Sequence, residues 1–133
     1  MKIHQLYTQS FLRNFTYLIE LNDGAAIVID PWEAEIVNSV LSDNKLRLTT
    51  IINTHEHWDH TQGNEALISE HGCDVWAHEN GHGKIPGLTR MLSAGEIIDI
   101  EAGSQLKVLN TPGHTFAHLC FLVIEDGPAK AVF

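Results

Sequence analysis

Two hydrophobic periods alternate along the chain. Lys2 to Tyr7 switches between polar and apolar residues, the two-residue period of a half-buried strand. Asn14 to Leu21 is rich in aromatic and β-branched residues and predicts a second strand. Asn22-Asp23-Gly24 supplies a hairpin turn, with Gly24 free to take a positive φ. Ala25 to Asp30 returns as an unbroken apolar run, which predicts a strand covered on both faces, and Asp30-Pro31 stops it. From Glu33 to Asn44 the period becomes helical, with Ile36, Val37, Val40 and Leu41 on one face. Leu48 to Asn53 predicts a strand, and Asn64 to His71 a helix with Ala66, Leu67 and Ile68 inward and Gly72 as its C-cap. Cys73 to Ala77 reads as a short strand, and the stretch 78–87, with Gly81, Gly83, Pro86 and Gly87, as a loop. Glu96–Ile100 and Gln105–Asn110 predict a hairpin around Glu101-Ala102-Gly103. Thr111-Pro112-Gly113-His114 breaks the pattern, His118 to Glu125 predicts a buried strand, and Ala129 to Phe133 begins another.

With 133 residues, 44% of them hydrophobic and 19% charged, the chain is sized for one globular domain spanning 1–133. Its formal charge is −9 and its eight Lys and Arg are scattered, which argues against a nucleic-acid partner. No apolar run approaches the ~18 residues of a membrane span, and the first residues lack the apolar core of a signal peptide. Cys73 and Cys120 sit far apart in apolar company, so they are expected to be reduced and buried, which fits the cytoplasm.

The chemistry concentrates in Thr54-His55-Glu56-His57-Trp58-Asp59-His60. His55, His57, Asp59 and His60 are metal-ligand types placed after a strand and before a helix, where a rigid scaffold aims side chains into a cleft. In an extended segment His55 and His57 point the same way and can share one ion, while Asp59 and His60 reach a second. His114, after Pro112-Gly113 at a strand end, completes a three-ligand set with His55 and His57, the number that catalytic zinc uses. Two ions about 3.5–4 Å apart could hold a hydroxide between them. Trp58 reads as packing, and Glu56 as a solvated group or one that supports a ligand. His118 reads as a core histidine or one behind a ligand, His78 and His82 as a solvent-facing pair, His4 and His71 as incidental, and Cys120 as core. Asp30 either caps its strand or hydrogen-bonds a ligand imidazole and fixes its tautomer.

Thr-His-Glu-His-Trp-Asp-His (54–60), with Asp30-Pro31 upstream and Thr-Pro-Gly-His-Thr (111–115), His118 and Cys120 downstream, resembles the metallo-β-lactamase fold, and within it the glyoxalase II family of hydroxyacylglutathione hydrolases. The resemblance covers nearly the whole chain. It implies an α+β fold, an αββα sandwich of which the N-terminal half is present, a mixed sheet with flanking helices. It implies one metal on His55, His57 and His114 and another on Asp59 and His60, with zinc the usual ion and iron or manganese also used. It implies a small-molecule partner, a glutathione thioester such as S-lactoylglutathione, whose carbonyl is attacked by hydroxide while Asp59 orients the nucleophile as it ligates.

One departure stands beside the match. The family's metal-bridging Asp, a later histidine and most of its glutathione contacts follow the strand that begins near Ala129, and the sequence stops at Phe133. The resemblance therefore implies about one sheet with its helices, little or no activity for 1–133 alone, and an uncovered sheet face that would favour a homodimer. Two rivals remain: a mononuclear iron persulfide dioxygenase of the same fold using His55, His57 and one carboxylate, and an inactive metal-binding half-domain.

Overall fold

The computed structural model describes residues 1–133. Its first sheet contains β1 (Lys2–Tyr7), β2 (Phe15–Glu20), β3 (Ala25–Ile29), β4 (Arg47–Ile52), β5 (Asp74–His78) and β6 (Arg90–Leu92), in that spatial order. β1, β2 and β3 pair antiparallel through short connections. From β3 onward the pairing is parallel, and β3 and β4 are joined through helix α1 (Ala34–Asn44). Trp58–Thr61 forms a single helical turn, α2, and α3 spans Asn64–His71.

β3 shows why the sheet is a middle layer. All five of its residues are buried. Ala26 and Val28 face Val37 and Leu41 of α1 and Leu67 of α3, in a cluster that also holds Leu18, Ile51 and Val75. Ala25, Ile27 and Ile29 face the other way, toward Leu106, Val108, Leu119, Phe121 and Val123. A strand with apolar residues at every position needs two partners, and here it has them.

The second partner corrects an expectation. The chain encodes more than one sheet: β7 (Ile97–Glu101), β8 (Ser104–Asn110), β9 (Leu119–Glu125) and β10 (Ala129–Val132) form a second, fully antiparallel sheet in the order β10-β9-β8-β7. Tight turns join β7 to β8 and β9 to β10, the 111–118 loop joins β8 to β9, and the strands' alternate apolar residues bury only by covering the first sheet. The same two-residue period moves Cys120 out of the core. Leu119, Phe121 and Val123 point inward, so Cys120 is half-buried on the opposite face of β9. The second sheet's outer face carries no helix.

The stretch 78–87 is also more ordered than a plain loop. Glu79–Gly81 forms a 3₁₀ turn, and His78 is buried rather than solvent-facing because its Nδ1 caps that turn by accepting from the Asn80 N–H at 2.9 Å. His82 is exposed.

Candidate metal centre

The centre grows from a kink at the end of β3. Asp30 has φ of 51°, left-handed for a residue with a side chain, which costs about 1–2 kcal/mol. Its backbone is held on both sides: its N–H donates to Ile52 O at 3.0 Å, and its carbonyl accepts from the Thr16 hydroxyl at 2.7 Å. The turn aims a buried carboxylate at the loop leaving β4. That carboxylate accepts from Thr54 N at 2.8 Å, Thr54 Oγ1 at 2.6 Å and His60 Nδ1 at 2.9 Å.

These bonds fix tautomers. The Thr54 hydroxyl gives its hydrogen to Asp30, so at 3.0 Å its oxygen accepts from His55 Nδ1–H. His55 Nε2 then carries a lone pair, and it is buried without any hydrogen-bond partner. Burial, followed by the charge of His60, pushes the His55 pKa down to about 4. His60 Nδ1 likewise donates to Asp30 and leaves its Nε2 free, 3.3 Å from Asp59 Oδ2. Burial opposes charge on His60, but the Asp30 hydrogen bond and the charges of Asp30 and Asp59 outweigh it and raise its pKa.

The structure brings His55, His57 and His114 together across the two sheets, one ligand-type nitrogen from each lying within 4.8 Å of the others. His57 Nδ1 and His114 Nε2 are 3.1 Å apart, and the His55 ring lies 4.7 and 5.0 Å from theirs. A buried imidazole lone pair with no donor is costly, and a cation satisfies it. Three neutral imidazoles suit zinc, iron or nickel, with a position left open for water. The donor set therefore fits a divalent transition metal.

Asp59 and His60 stand beside this set, with the His60 ring 4.2 Å from that of His55. Asn14 donates to Asp59 Oδ2 at 2.8 Å and to its carbonyl at 3.3 Å. Burial would raise the Asp59 pKa, but the Asn14 hydrogen bond and the His60 charge bring it below the usual value. Asn14 carried no signal in the sequence, because it lies 45 positions from its partner and opens an ordinary strand. A second polar group escaped notice beneath the loop. Asn53 donates to His60 O at 2.8 Å and accepts from Asn64 at 2.8 Å, both Asn residues being fully buried.

The remaining residues fall around this core. Trp58 is half-exposed and packs on buried Trp32 with ring centroids 5.3 Å apart. The His118 ring is 5.2 Å from that of His55, and its Nδ1 pairs with Thr111 Oγ1 at 2.9 Å. Gly63 meets the chain at Pro31: its N–H donates to Pro31 O at 3.0 Å, and a Cβ there would lie 2.7 Å from that oxygen.

Residues 10–128 match the family model of the metallo-beta-lactamase superfamily. The chain is 43% identical over 130 residues to a hydroxyacylglutathione hydrolase from Nitrosococcus oceani, covering 97% of this chain and 49% of that protein. It thus spans about half the length of the curated relatives it matches. Among solved structures, ETHE1 from Myxococcus xanthus superposes with a TM-score of 0.76 at 28% identity, covering 92% of this chain and 54% of that one. A metallo-beta-lactamase from Staphylococcus aureus superposes with a TM-score of 0.83 at 24% identity, covering 99% and 40%. With a family match along most of its length and the two-sheet fold to go with it, this chain belongs to the metallo-β-lactamase superfamily.

Proposed function

We propose that His55, His57 and His114 hold a divalent metal, that Asp59 and His60 face a second, and that the centre serves a metal-dependent hydrolase of glutathione thioesters such as S-lactoylglutathione. The observation that carries this reading is the buried, partnerless His55 Nε2 facing two further imidazoles. A bound divalent ion lowers the pKa of water toward 7 and polarises a carbonyl. The protein's own groups do the rest. Asp30 and Thr54 keep His55 and His60 in the tautomers with free Nε2 atoms. Asp59, steadied by Asn14, accepts a hydrogen bond from the attacking water and orients it. Exposed His57 and His114 leave the site open to a thioester from solvent. A thiolate leaves without help from a general acid. Similarity to relatives named hydroxyacylglutathione hydrolase supports the substrate class, and three imidazoles with an open position are a set that zinc uses. Two free cysteines fit a cytoplasmic setting, and the unhelixed outer sheet face fits a homodimer. No helix is long and apolar enough to cross a membrane.

Metal analysis of the purified chain, with His114→Ala as control, tests this. The expected result is at least one equivalent of zinc per chain, lost on substitution, with little or no S-lactoylglutathione hydrolysis by residues 1–133 alone. No bound metal at micromolar zinc overturns it. The one-ion rival, an iron persulfide dioxygenase, would hold its metal on His55, His57 and one carboxylate, whereas the set that converges here has His114 as its third member. Oxygen uptake with one equivalent of iron would favour that instead.

A further inference from the structure

α2 is a helix of four residues, and a single turn of helix does not hold itself, because nucleation fixes several residues for one backbone bond. Yet this turn carries Asp59 and His60. It also reaches back to the ligand-type residue before it. His60 N–H donates to His57 O at 3.0 Å, and Thr61 Oγ1 donates to the same oxygen at 3.3 Å. His57, Asp59 and His60 therefore stand where α2 stands.

The turn rests on two side-chain amides. Asn53 follows β4, Asn64 opens α3, and both are fully buried. Asn53 Nδ2 donates to His60 O at 2.8 Å and to Asn64 Oδ1 at 3.4 Å. Asn64 Nδ2 donates to Asn53 Oδ1 at 2.8 Å and to Pro86 O, in the 78–87 stretch, at 3.1 Å. An amide nitrogen has two hydrogens, so all four are placed, and each amide oxygen accepts from the other residue. Neither amide can be turned over. A flipped Asn53 would set its oxygen against His60 O, and a flipped Asn64 would set its oxygen against Pro86 O. Two apolar side chains would fill this space without the cost of burying amides, but they could hold no carbonyl.

We propose that Asn53 and Asn64 are positioning residues: as a locked amide pair they hold the His60 carbonyl, and through it the α2 turn that aims His57, Asp59 and His60. Asn53 makes the contact. Asn64 fixes the orientation of Asn53 and anchors it to Pro86. The inference rests on the metal reading for its purpose, while the hydrogen bonds that carry it need no ion.

The test uses the whole chain with two readouts. One is Zn2+ affinity by chelator competition. The other is the His60 tautomer in metal-free protein, read by nitrogen NMR at alkaline pH, where the imidazole is neutral. Wild-type His60 should keep its proton on Nδ1, the atom that donates to Asp30. Asn53→Leu keeps the branched shape and removes the donors. It should weaken Zn2+ about 10–100-fold, the range for groups that support metal ligands, and return His60 toward the Nε2–H form that free imidazole prefers. Asn64→Leu should move both readouts the same way by less. The double variant should match Asn53→Leu, since the two act along one path. Leu41→Ala is the comparison. It lowers the urea midpoint from the core under α1, beside Leu46 at the end of β4 away from the loop. It should leave the tautomer unchanged and shift Zn2+ affinity by less than about twofold, as it shares none of these partners. If the amides served folding alone, Zn2+ affinity would follow the urea midpoint in every variant, Leu41→Ala included, and folded His60 would keep Nδ1–H throughout. That pattern overturns the proposal. Should Asn53→Leu fail to fold, Asn64→Leu carries both readouts. If wild-type protein bound no zinc, the metal reading would fail, and the His60 tautomer would still decide the role of the amide pair.

Discussion

Asp30 concentrates three donors on two carboxylate oxygens. Asn tolerates the left-handed backbone there, so Asp30→Asn tests the carboxylate and not the turn. Its NH2 must face one of those donors, so the metal-free chain should lose about 1–3 kcal/mol in urea unfolding. Zinc affinity should fall with it, because His60 and Thr54 lose the acceptor that orders them. The adjacent imidazoles should titrate in opposite senses. His55 has a folded pKa below its unfolded 6.5, so its contribution to stability is full above pH 6.5 and lost as pH falls toward about 4. His60 has a raised pKa, so its contribution is full below pH 6.5 and lost as pH rises through the folded value. Imidazole NMR of metal-free protein should show His60 protonating first and His55 staying neutral until about pH 4. At this scale the sequence displayed ligand types and spacing, because His55, His57, Asp59 and His60 are local. Asn14, Asn53 and Asn64 were silent, because a supporting amide acquires meaning only from a partner brought close by folding.

Among the elements, those with a long patterned stretch were legible and the shortest were not. α1 and β3 stand close to where their patterns put them, while three-residue β6 offers too few positions to show any period. The loop after β4 is pinned by α3, whose start at Gly63 presses on Pro31. Gly63→Ala should cost about 1–3 kcal/mol by overpacking against backbone that cannot yield, and it should loosen zinc, as a melting curve and a metal titration would show. At the other end of the sheet, α1 stops at Lys45 with φ of 55°. Lys45→Gly should remove that strain and stabilise the chain by up to about 1 kcal/mol in urea, without touching metal affinity.

Across the whole molecule, the second sheet was hidden because alternation says which residues turn inward but not which layer receives them. Phe121 is the largest of the fully buried side chains between the sheets. Phe121→Ala should cost about 3–5 kcal/mol, and zinc affinity should drop because His114 rides on the same sheet. Conversely, free zinc at 100 times its Kd should raise stability by about 2.7 kcal/mol in wild type and not in His114→Ala, read as a shift of the urea midpoint. The centre is a clasp between layers, since two imidazoles leave β4 and the third leaves the β8–β9 connection. That separation also orders events in time. On a ribosome adding about 5–20 residues per second, His57 emerges several seconds before His114. Until then the nascent chain shows an incomplete pair of imidazoles to any passing ion. In the proposed centre, selection of the metal therefore waits on the loop between β8 and β9.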